Sequence, residues 1–303
     1  MSGTIGRAPS TPTRRRMSFG TFGPPVTRVL LAIVFLFPIL LMFMSSLKPT
    51  EQLLSDTRSW RAFLPVGHLS FENYRGVFRR APAGRFLFNS FLVSVLTVLL
   101  GLLVNSLAGF SLARLRWRGQ KFVLTLVIAT LIVPFEVIAI PLLFVVNKLP
   151  WLHFSGGFGV EQGWINSYRV QIIPFVANAF SIFLFTQHFK SLPVELDEAA
   201  LVDGASWWHI YSRLIVPLSG PVFATVSILT FLPAWNQYLW PKMVTQSESI
   251  RPVMIGLQYF FQLNIQWGEI MAYLSLITVP VLILFVLLQR AFVESIASTG
   301  VKG

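Results

Sequence analysis

The chain alternates between long apolar runs and short polar segments, and six of the apolar runs are almost free of charge. They cover residues 26–47, 86–113, 122–147, 170–189, 214–241 and 270–289. Each run is long enough to cross a bilayer as a helix, and none shows the period-two alternation of a membrane strand. Since lipid admits only helices and closed barrels, the pattern predicts an all-α polytopic membrane protein with six transmembrane helices. The second and fifth runs are longer than a bilayer requires, so we expect each to tilt or to include an interfacial turn.

Composition supports a membrane protein and excludes several other classes. The chain is 54% hydrophobic and only 12% charged, which is too apolar for an ordinary soluble domain. It contains 0 cysteines, so disulfides and thiol-based metal or redox chemistry are excluded. The net charge is +12, but the basic residues punctuate the apolar runs, so lipid headgroups are more plausible partners than nucleic acid.

The basic residues also predict an orientation. Arg14–Arg16 precede the first run, and the eight-residue connection Arg114–Lys121 carries four basic residues. Short loops rich in Lys and Arg stay in the cytoplasm, so both termini are expected there. The expected division is a disordered basic cytoplasmic tail at 1–25, a membrane domain at 26–295 and a cytoplasmic tail at 296–303. The first run follows an arginine group like that of a twin-arginine signal, but no small-residue cleavage site follows, so we expect it to remain as a span.

One cytoplasmic loop, residues 190–217, is unusually polar for this chain. Its central sequence ELDEAALVDGASWWHIYSRLIVP concentrates acids at the start of a short predicted helix, Pro193 to Val202, where the helix dipole favours them. Gly204 is expected to end that helix with a positive φ. A second short helix is expected over Ser206 to Leu214, and Pro217 is expected to start the next span. A plain solvated connector requires no such helix pair and no exposed Trp207 or Trp208.

The same residues carry a family resemblance. Glu198, Ala199 and Ala200 are followed after three residues by Gly204 and, further on, by the apolar residues 214–216 and Pro217. This spacing resembles the EAA loop of ABC-importer permeases, although Leu214 and Val216 differ from the usual Ile and Leu. The run FLFNSFLVSVLTVLLGLLVNSLAGFSLARLRWRGQKF and the segments FENYRGVF, WNQYLWP and LQRAFVESIASTGVKG are similar to those of MalG-like carbohydrate permeases.

The resemblance implies a type I ABC importer permease fold and a division of labour. Such a subunit pairs with a second homologous permease, and each EAA loop docks on one of two ABC ATPase subunits in the bacterial cytoplasmic membrane. An extracytoplasmic binding protein or lipoprotein delivers a sugar or sugar-like solute, such as a disaccharide, an oligosaccharide or a glycerol-phosphate. ATP and Mg are bound by the ATPase, so this chain is expected to hold no cofactor and to have no catalytic residue.

Within that resemblance, several residues of the loop receive expected roles in coupling to the ATPase. Glu198 is expected to pair with a basic residue of the ATPase, Ala199 and Ala200 to allow close approach, and Gly204 to set the angle between the short helices. Asp203 and Pro217 complete the expected coupling residues. The C-terminal residues 300–303 are expected to reach the ATPases as well.

Five residues are candidates for the translocation pathway: Glu136, Asn178, Trp235, Asn236 and Tyr238. A charged group within a span is costly and often functional, although Glu136 could instead satisfy carbonyls freed by the prolines at 134 and 141. Aromatic and amide groups can hold a sugar, but Trp and Tyr near a span end also form interfacial belts. The mid-span amides Asn105 and Asn178 could equally hold helices together.

Two other functional classes remain as alternatives. A secondary transporter could use Glu136 as its proton or ion site, and a membrane-embedded enzyme would need a paired catalytic constellation, which the sequence lacks. The sequence contains no GxxxxGK[ST] phosphate loop, and its 4 histidines lack metal-ligand spacing, so neither an ATPase site nor a metal site is expected.

Overall fold

The computed structural model describes residues 25–153, 159–262 and 264–300. The predicted tail at 1–25 lies almost entirely outside the described residues, as do the last three residues of the chain. Contacts divide the chain into two units, residues 1–41 and 42–303. The first unit contributes most of helix α1 (Pro25–Ser46), which is long and apolar enough to cross a membrane.

Among its described residues, the second unit is helical, as predicted, apart from one small antiparallel hairpin, β1 (Pro150–His153) with β2 (Gly159–Gln162). The helices of its first half are α2 (Thr50–Asp56), α3 (Glu72–Arg80), α4 (Ala83–Ala113), α5 (Gln120–Thr130), α6 (Phe135–Lys148), α7 (Tyr168–Val176) and α8 (Ala179–Ser191). Those of its second half are α9 (Glu195–Val202), α10 (Trp207–His209), α11 (Val216–Leu218), α12 (Gly220–Trp235), α13 (Leu239–Val244), α14 (Val253–Gly256) and α15 (Trp267–Gly300). Short 3₁₀ turns lie at Trp60–Phe63, Glu248–Ile250 and Leu257–Phe261, and a π-helical segment at Ile210–Ile215.

Four of the six predicted spans correspond to helical segments that are each long and apolar enough to cross a membrane: Thr27–Ser46, Ala83–Ala113, Tyr168–Ser191 and Trp267–Gln289. The segment Tyr168–Ser191 consists of α7 and α8, which extended residues at 177 and 178 separate. The predicted third span, 122–147, is instead a pair of helices, α5 and α6, bent by 105°. Pro134 lies at the bend in an extended conformation, and proline both lacks an N–H and disfavours helix at the preceding residue. Counting each bent pair as one span gives six.

The fifth span differs from its predicted bounds at both ends. The apolar helix α12 begins at Gly220, after a bend of 80° from the preceding helical segment, and ends at Trp235. The prediction that Pro217 starts this span is therefore wrong, because the helix continues through Pro217 and the bend comes at Ser219. The residues after Trp235 turn and form the separate short helix α13.

Close helix packing positions the loop that follows α8. A Cβ added at Gly109 of α4 would lie 2.6 Å from the Cβ of Phe185 of α8, so only glycine allows the two helices to approach this closely. A buried cluster continues from this contact, and its members are Phe110, Phe185, Phe189, Ile210, Tyr211, Ile215, Val222 and Val226. The polar loop is thus packed onto α4, α8 and α12.

Candidate functional site

The polar loop forms two short helices, but the first begins later than predicted. Helix α9 starts at Glu195, so Pro193 precedes it and is not the first helical residue. Glu195, Asp197 and Glu198 occupy its first turn, where the positive end of the helix dipole stabilises them.

Gly204 ends α9 in the manner predicted from the sequence. Its φ is +81°, a conformation that residues with a side chain resist. The Ala205 N–H donates to the Ala200 carbonyl at 2.9 Å, and the Gly204 N–H donates to the Leu201 carbonyl at 3.0 Å. These two bonds define a Schellman turn, which satisfies carbonyls at the end of α9 and fixes the direction of the following segment.

An ion pair that the sequence did not predict fixes α9 against the membrane helices. Arg114, at the end of α4, places its Nη1 3.2 Å from Oδ2 of Asp197, and the two side chains are 3% and 5% exposed. The Nη2 of Arg114 also donates to the Leu192 carbonyl at 3.0 Å. Burial raises the pKa of Asp197, and the guanidinium of Arg114 partly opposes this rise. The sequence shows a basic turn and an acidic helix, but it does not indicate that Arg114 of the turn pairs with Asp197 of the helix.

The second helical segment includes a widened turn, not the regular helix expected over Ser206 to Leu214. Ser206 caps it by accepting a hydrogen bond from the His209 N–H at 3.3 Å. Residues 210–215 are π-helical, and the Val216 N–H donates to the Tyr211 carbonyl. The Tyr211 hydroxyl lies 2.7 Å from the buried hydroxyl of Ser106 on α4. Irregular turns of this kind are frequent at functional sites.

This framework leaves most of the expected coupling residues facing outward. Glu198, Ala199, Asp203, Gly204 and Pro217 are exposed. Ala200 is half-buried and packs against the buried cluster around Phe185. Ala199 and Ala200 therefore do not form one exposed surface. The expected exposure of the tryptophans is confirmed, since Trp207 is 40% and Trp208 is 62% exposed.

A second feature is a cavity of about 430 Å³ among the membrane helices. Its polar lining comes from Thr97, Gln171, Asn178, Thr230 and Gln237, and its aromatic lining from Phe135 and Phe175. Only Asn178 among these was a candidate from the sequence. Thr97 and Gln171 were missed because a single polar residue in an apolar run gives no sign that it belongs to the wall of a cavity.

Asn178 lies where the fourth span is interrupted. Ala177 and Asn178 are extended, and the Asn178 side chain caps α8 by accepting from the Ser181 N–H at 2.9 Å. Asn105 on α4 spans the interruption, since its amide donates to the Val176 carbonyl and accepts from the Asn178 N–H, both at 2.9 Å. Asn105 therefore joins two helices, whereas the Asn178 side chain acts mainly on its own helix.

The remaining pathway candidates lie in different surroundings. Glu136 is exposed in the first turn of α6, next to the bend. Within the described residues its carboxylate makes no hydrogen bond or ion pair, which gives no support to the view that it satisfies carbonyls freed by the prolines.

The aromatic candidates of the fifth span do not line the cavity. Trp235 is only 1% exposed and stacks on Phe231 with ring centroids 5.5 Å apart, so within this chain it packs in the core. Asn236 is exposed just after α12. The Tyr238 hydroxyl accepts from Lys242 at 2.9 Å and bonds to Gln258.

Among the described residues, no group of three or more His, Cys, Asp or Glu side chains could hold a metal ion. The groups that these two features offer are exposed acidic side chains on α9 and uncharged polar side chains around the cavity.

Comparison with known proteins identifies the class. The chain belongs to the family of binding-protein-dependent transport system inner membrane components, which matches residues 98–298. The predicted class is confirmed: the chain is a multi-pass permease component of such a transport system.

Individual relatives match over nearly their whole length. The chain is 30% identical over 275 residues to the arabinooligosaccharides transport system permease AraQ of Halalkalibacterium halodurans, covering 90% of this chain and 93% of AraQ. It is 29% identical over 266 residues to the lactose transport system permease LacG of Rhizobium radiobacter, covering 88% and 90%. A chain of a bacterial ABC transporter involved in the import of the acidic polysaccharide alginate shares the fold, with a TM-score of 0.73, 21% identity and coverage of 88% and 94%.

Proposed function

We propose that this chain is one permease subunit of an ATP-driven, binding-protein-dependent importer for a sugar or sugar-like solute. It would act with a second homologous permease, two copies of an ABC ATPase and an extracytoplasmic binding protein. The family and the carbohydrate names of the relatives support this proposal. The basic residues near 114–121 support a cytoplasmic position for that turn, for the EAA loop and for both termini in a bacterial cytoplasmic membrane.

The observation that carries the proposal is the position of α9, the first helix of the EAA loop. One of its faces is exposed, and the other is held against the end of α4 by the Arg114–Asp197 ion pair. Glu198, Ala199 and Asp203 are exposed, while Asp197 on the same short helix is buried against Arg114. A connector has no need to fix one face of a helix and expose the other. This arrangement suits a docking element whose displacement must reach the membrane helices.

The contacts that hold the loop against the membrane helices suggest how the subunit would transmit the movements of the ATPase to those helices. When ATP draws the two ATPase subunits together, α9 would move with the subunit on which it docks. The Arg114–Asp197 pair would transfer that displacement to α4, and the Tyr211–Ser106 contact would transfer it further along the same helix. The cluster around Phe185 and Ile215 would move α8 and α12 with them.

In this account ATP and Mg are bound only by the partner ATPase, and Glu198 would pair with a basic residue of that subunit. The solute would pass between the two permeases, and the candidate residues Glu136, Asn178, Asn236 and Tyr238 would lie along or near that passage. Trp235 would contribute through packing alone, because it is buried.

Reconstitution into liposomes tests the proposal. The chain alone should hydrolyse no ATP, and the complete importer should hydrolyse ATP faster when loaded binding protein is added. Uptake should require ATP and every partner. Uptake driven by an ion gradient, with this chain as the sole protein, would contradict the proposal and favour the secondary transporter.

A further inference from the structure

A second pocket, of about 690 Å³, lies where the ends of three membrane spans meet. Its lining brings together the end of α4, the basic turn at residues 114–121, the start of α5 and the end of α8. Helix α9 of the EAA loop forms a further wall. Because a span ends where the hydrocarbon of the bilayer ends, this pocket lies at the level of the lipid headgroups.

The pocket carries an excess of positive charge. Its lining contains three exposed basic side chains that form no ion pair among the described residues: Arg116, Lys121 and Lys190. Arg114 also lines the pocket, but it is already neutralised by Asp197. Glu198 is the one acid of the lining without a basic partner in the described part of the chain. An anion would therefore find more counter-charge here than it meets repulsion.

The basic turn has a defined shape. Gly119 has a φ of +94°, and the Gln120 side-chain amide donates to the Leu112 carbonyl near the end of α4 at 2.7 Å. The indole N–H of Trp117 donates to the Ser111 carbonyl at 3.3 Å. No side chain caps the first turn of α5, so the positive end of that helix adds to the charge of the turn.

The remainder of the lining is mostly apolar and includes Leu115, Leu124, Val194, Leu201 and Trp207. Tryptophan is typical of the membrane–water interface. Helix α5 has no buried residue, so its surface is accessible to lipid from the pocket into the membrane. A free phosphate would use only the basic groups, whereas a phospholipid would use the basic groups for its headgroup and the apolar surface for its acyl chains.

We propose that this pocket binds an anionic phospholipid of the type of phosphatidylglycerol. Arg116, Lys121 and Lys190 hold the phosphate, and the acyl chains follow α5 into the bilayer. Basic pockets between membrane helices are known headgroup sites, and a zwitterionic lipid binds less well because its own ammonium group opposes these cations. Since Leu201 of α9 forms part of the wall, the bound lipid contacts both the basic turn and the EAA loop. The inference rests on the membrane location of the chain and not on its solute or its ATPase.

Thiol labelling tests the site, because the chain contains 0 cysteines and an introduced thiol reports on one position. Leu201 and Val202 are neighbours on α9, and of the two only Leu201 lines the pocket. The full chain with Leu201→Cys or Val202→Cys is placed in dioleoylphosphatidylcholine nanodiscs and labelled with uncharged N-ethylmaleimide. Added dioleoylphosphatidylglycerol should slow labelling of Leu201→Cys about fivefold or more. The phosphatidylethanolamine with the same acyl chains should not, and Val202→Cys should react at one rate in all three lipids.

Lys121→Gln and Arg118→Gln form a matched pair of variants in the Leu201→Cys chain. Both residues are exposed near the start of α5, but only Lys121 lines the pocket. Lys121→Gln should raise the phosphatidylglycerol content needed for half-protection about fivefold, and Arg118→Gln should raise it by less than about twofold. The triple variant Arg116→Gln, Lys121→Gln, Lys190→Gln should lose the protection. All three side chains are exposed, so the thermal stability of the triple variant should stay near that of the parent chain.

Soluble anions distinguish a lipid site from a phosphate site. Neither inorganic phosphate nor glycerophosphoglycerol, the headgroup without acyl chains, should slow labelling of Leu201→Cys in phosphatidylcholine nanodiscs. Protection by either one equal to that by the lipid would refute the lipid as the ligand. Equal labelling in all three lipids would refute the site, and so would equal effects of Lys121→Gln and Arg118→Gln, which would indicate diffuse surface charge. Each of these failures would leave the proposed importer function standing.

Discussion

At the scale of single residues, the Arg114–Asp197 pair determines whether α9 is held in place. Both side chains are nearly inaccessible to solvent, and Nε of Arg114 and Oδ1 of Asp197 have no further partner among the described atoms. Removing one member of such a pair leaves an uncompensated buried charge, whereas replacing both by apolar groups can be neutral. The pair thus couples α4 to α9 as one unit.

Asp197→Asn should destabilise the packing of α9 against the end of α4 by about 3–5 kcal/mol, because Arg114 would remain buried without a counter-charge. Hydrogen exchange of residues 195–202 in the assembled importer measures the effect, and faster exchange is expected. The double variant Arg114→Met with Asp197→Leu should recover much of the protection. Equal exchange in wild type and Asp197→Asn would show that the pair does not hold the helix.

A second buried pair makes the segment after α1 sensitive to acid. Lys48 donates to Oδ2 of Asp56 at 3.0 Å and to the Arg61 carbonyl at 2.7 Å. The hydrogen bond from Lys48 holds the pKa of Asp56 below its usual range. A carboxyl with a lowered pKa in the folded state contributes stability above its unfolded pKa of about 4 and loses it as the pH falls through the folded value.

Hydrogen exchange of residues 48–66, corrected for intrinsic rates, should therefore be steady from about pH 7 to 5 and should accelerate below about pH 4. Asp56→Asn should remove this pH dependence and raise exchange at neutral pH. Glu51→Gln, a change at an exposed acid of the same helix, should keep the wild-type profile. An unchanged profile for Asp56→Asn would mean that another group titrates.

At the scale of elements, the turn at Gly204 determines the angle between α9 and the segment that begins at Trp207. Gly204 and Gly220 form a natural comparison, because an added Cβ has open space at both, yet only Gly204 has a positive φ. Any loss specific to Gly204 must then come from the backbone conformation and not from a clash.

Gly204→Val should therefore shift the loop away from its docking geometry at a cost of about 1–2 kcal/mol or more. The expected result is a reduction of ATP-driven uptake by roughly five- to thirtyfold, with normal insertion into the membrane. Gly220→Val should keep near-normal uptake. Equal uptake by the two variants would show that the left-handed turn is not needed for coupling.

The elements also show what the sequence could and could not predict. Long apolar runs identified the helices because lipid leaves the backbone few alternatives, and Gly204 identified its turn because few residues adopt a positive φ. The angle at Pro134 and the bend at Ser219 depend on packing around them, so two spans predicted as single helices are bent pairs. Neither the Arg114–Asp197 contact nor the position of Thr97 and Gln171 in the wall of one cavity is encoded locally, because each brings together residues of separate helices.

At the scale of the whole molecule, two helices connect the EAA loop to the cavity of about 430 Å³ among the membrane helices. Helix α8 runs from the interruption at Asn178 to Ser191, just before α9, a length of about 20 Å. Helix α12 begins at Gly220, directly after the loop, and carries Thr230 and Ala234 in the cavity wall. A rigid displacement of the loop therefore reaches the cavity along two continuous helices.

Purification of the importer with a charge reversal at Glu198 tests the central claim, that α9 docks on an ATPase. Glu195 provides the control, because it is also exposed and lies in the same first turn. Truncating a buried interfacial charge costs about 2–5 kcal/mol and a rim charge costs little, and reversal adds repulsion. Tagged importer carrying Glu198→Lys should lose the ATPase on purification, Glu195→Lys should retain it, and a basic-to-acidic change in the ATPase cleft should restore part of the loss. Full retention of the ATPase by Glu198→Lys, with normal ATP-driven uptake, would contradict the account.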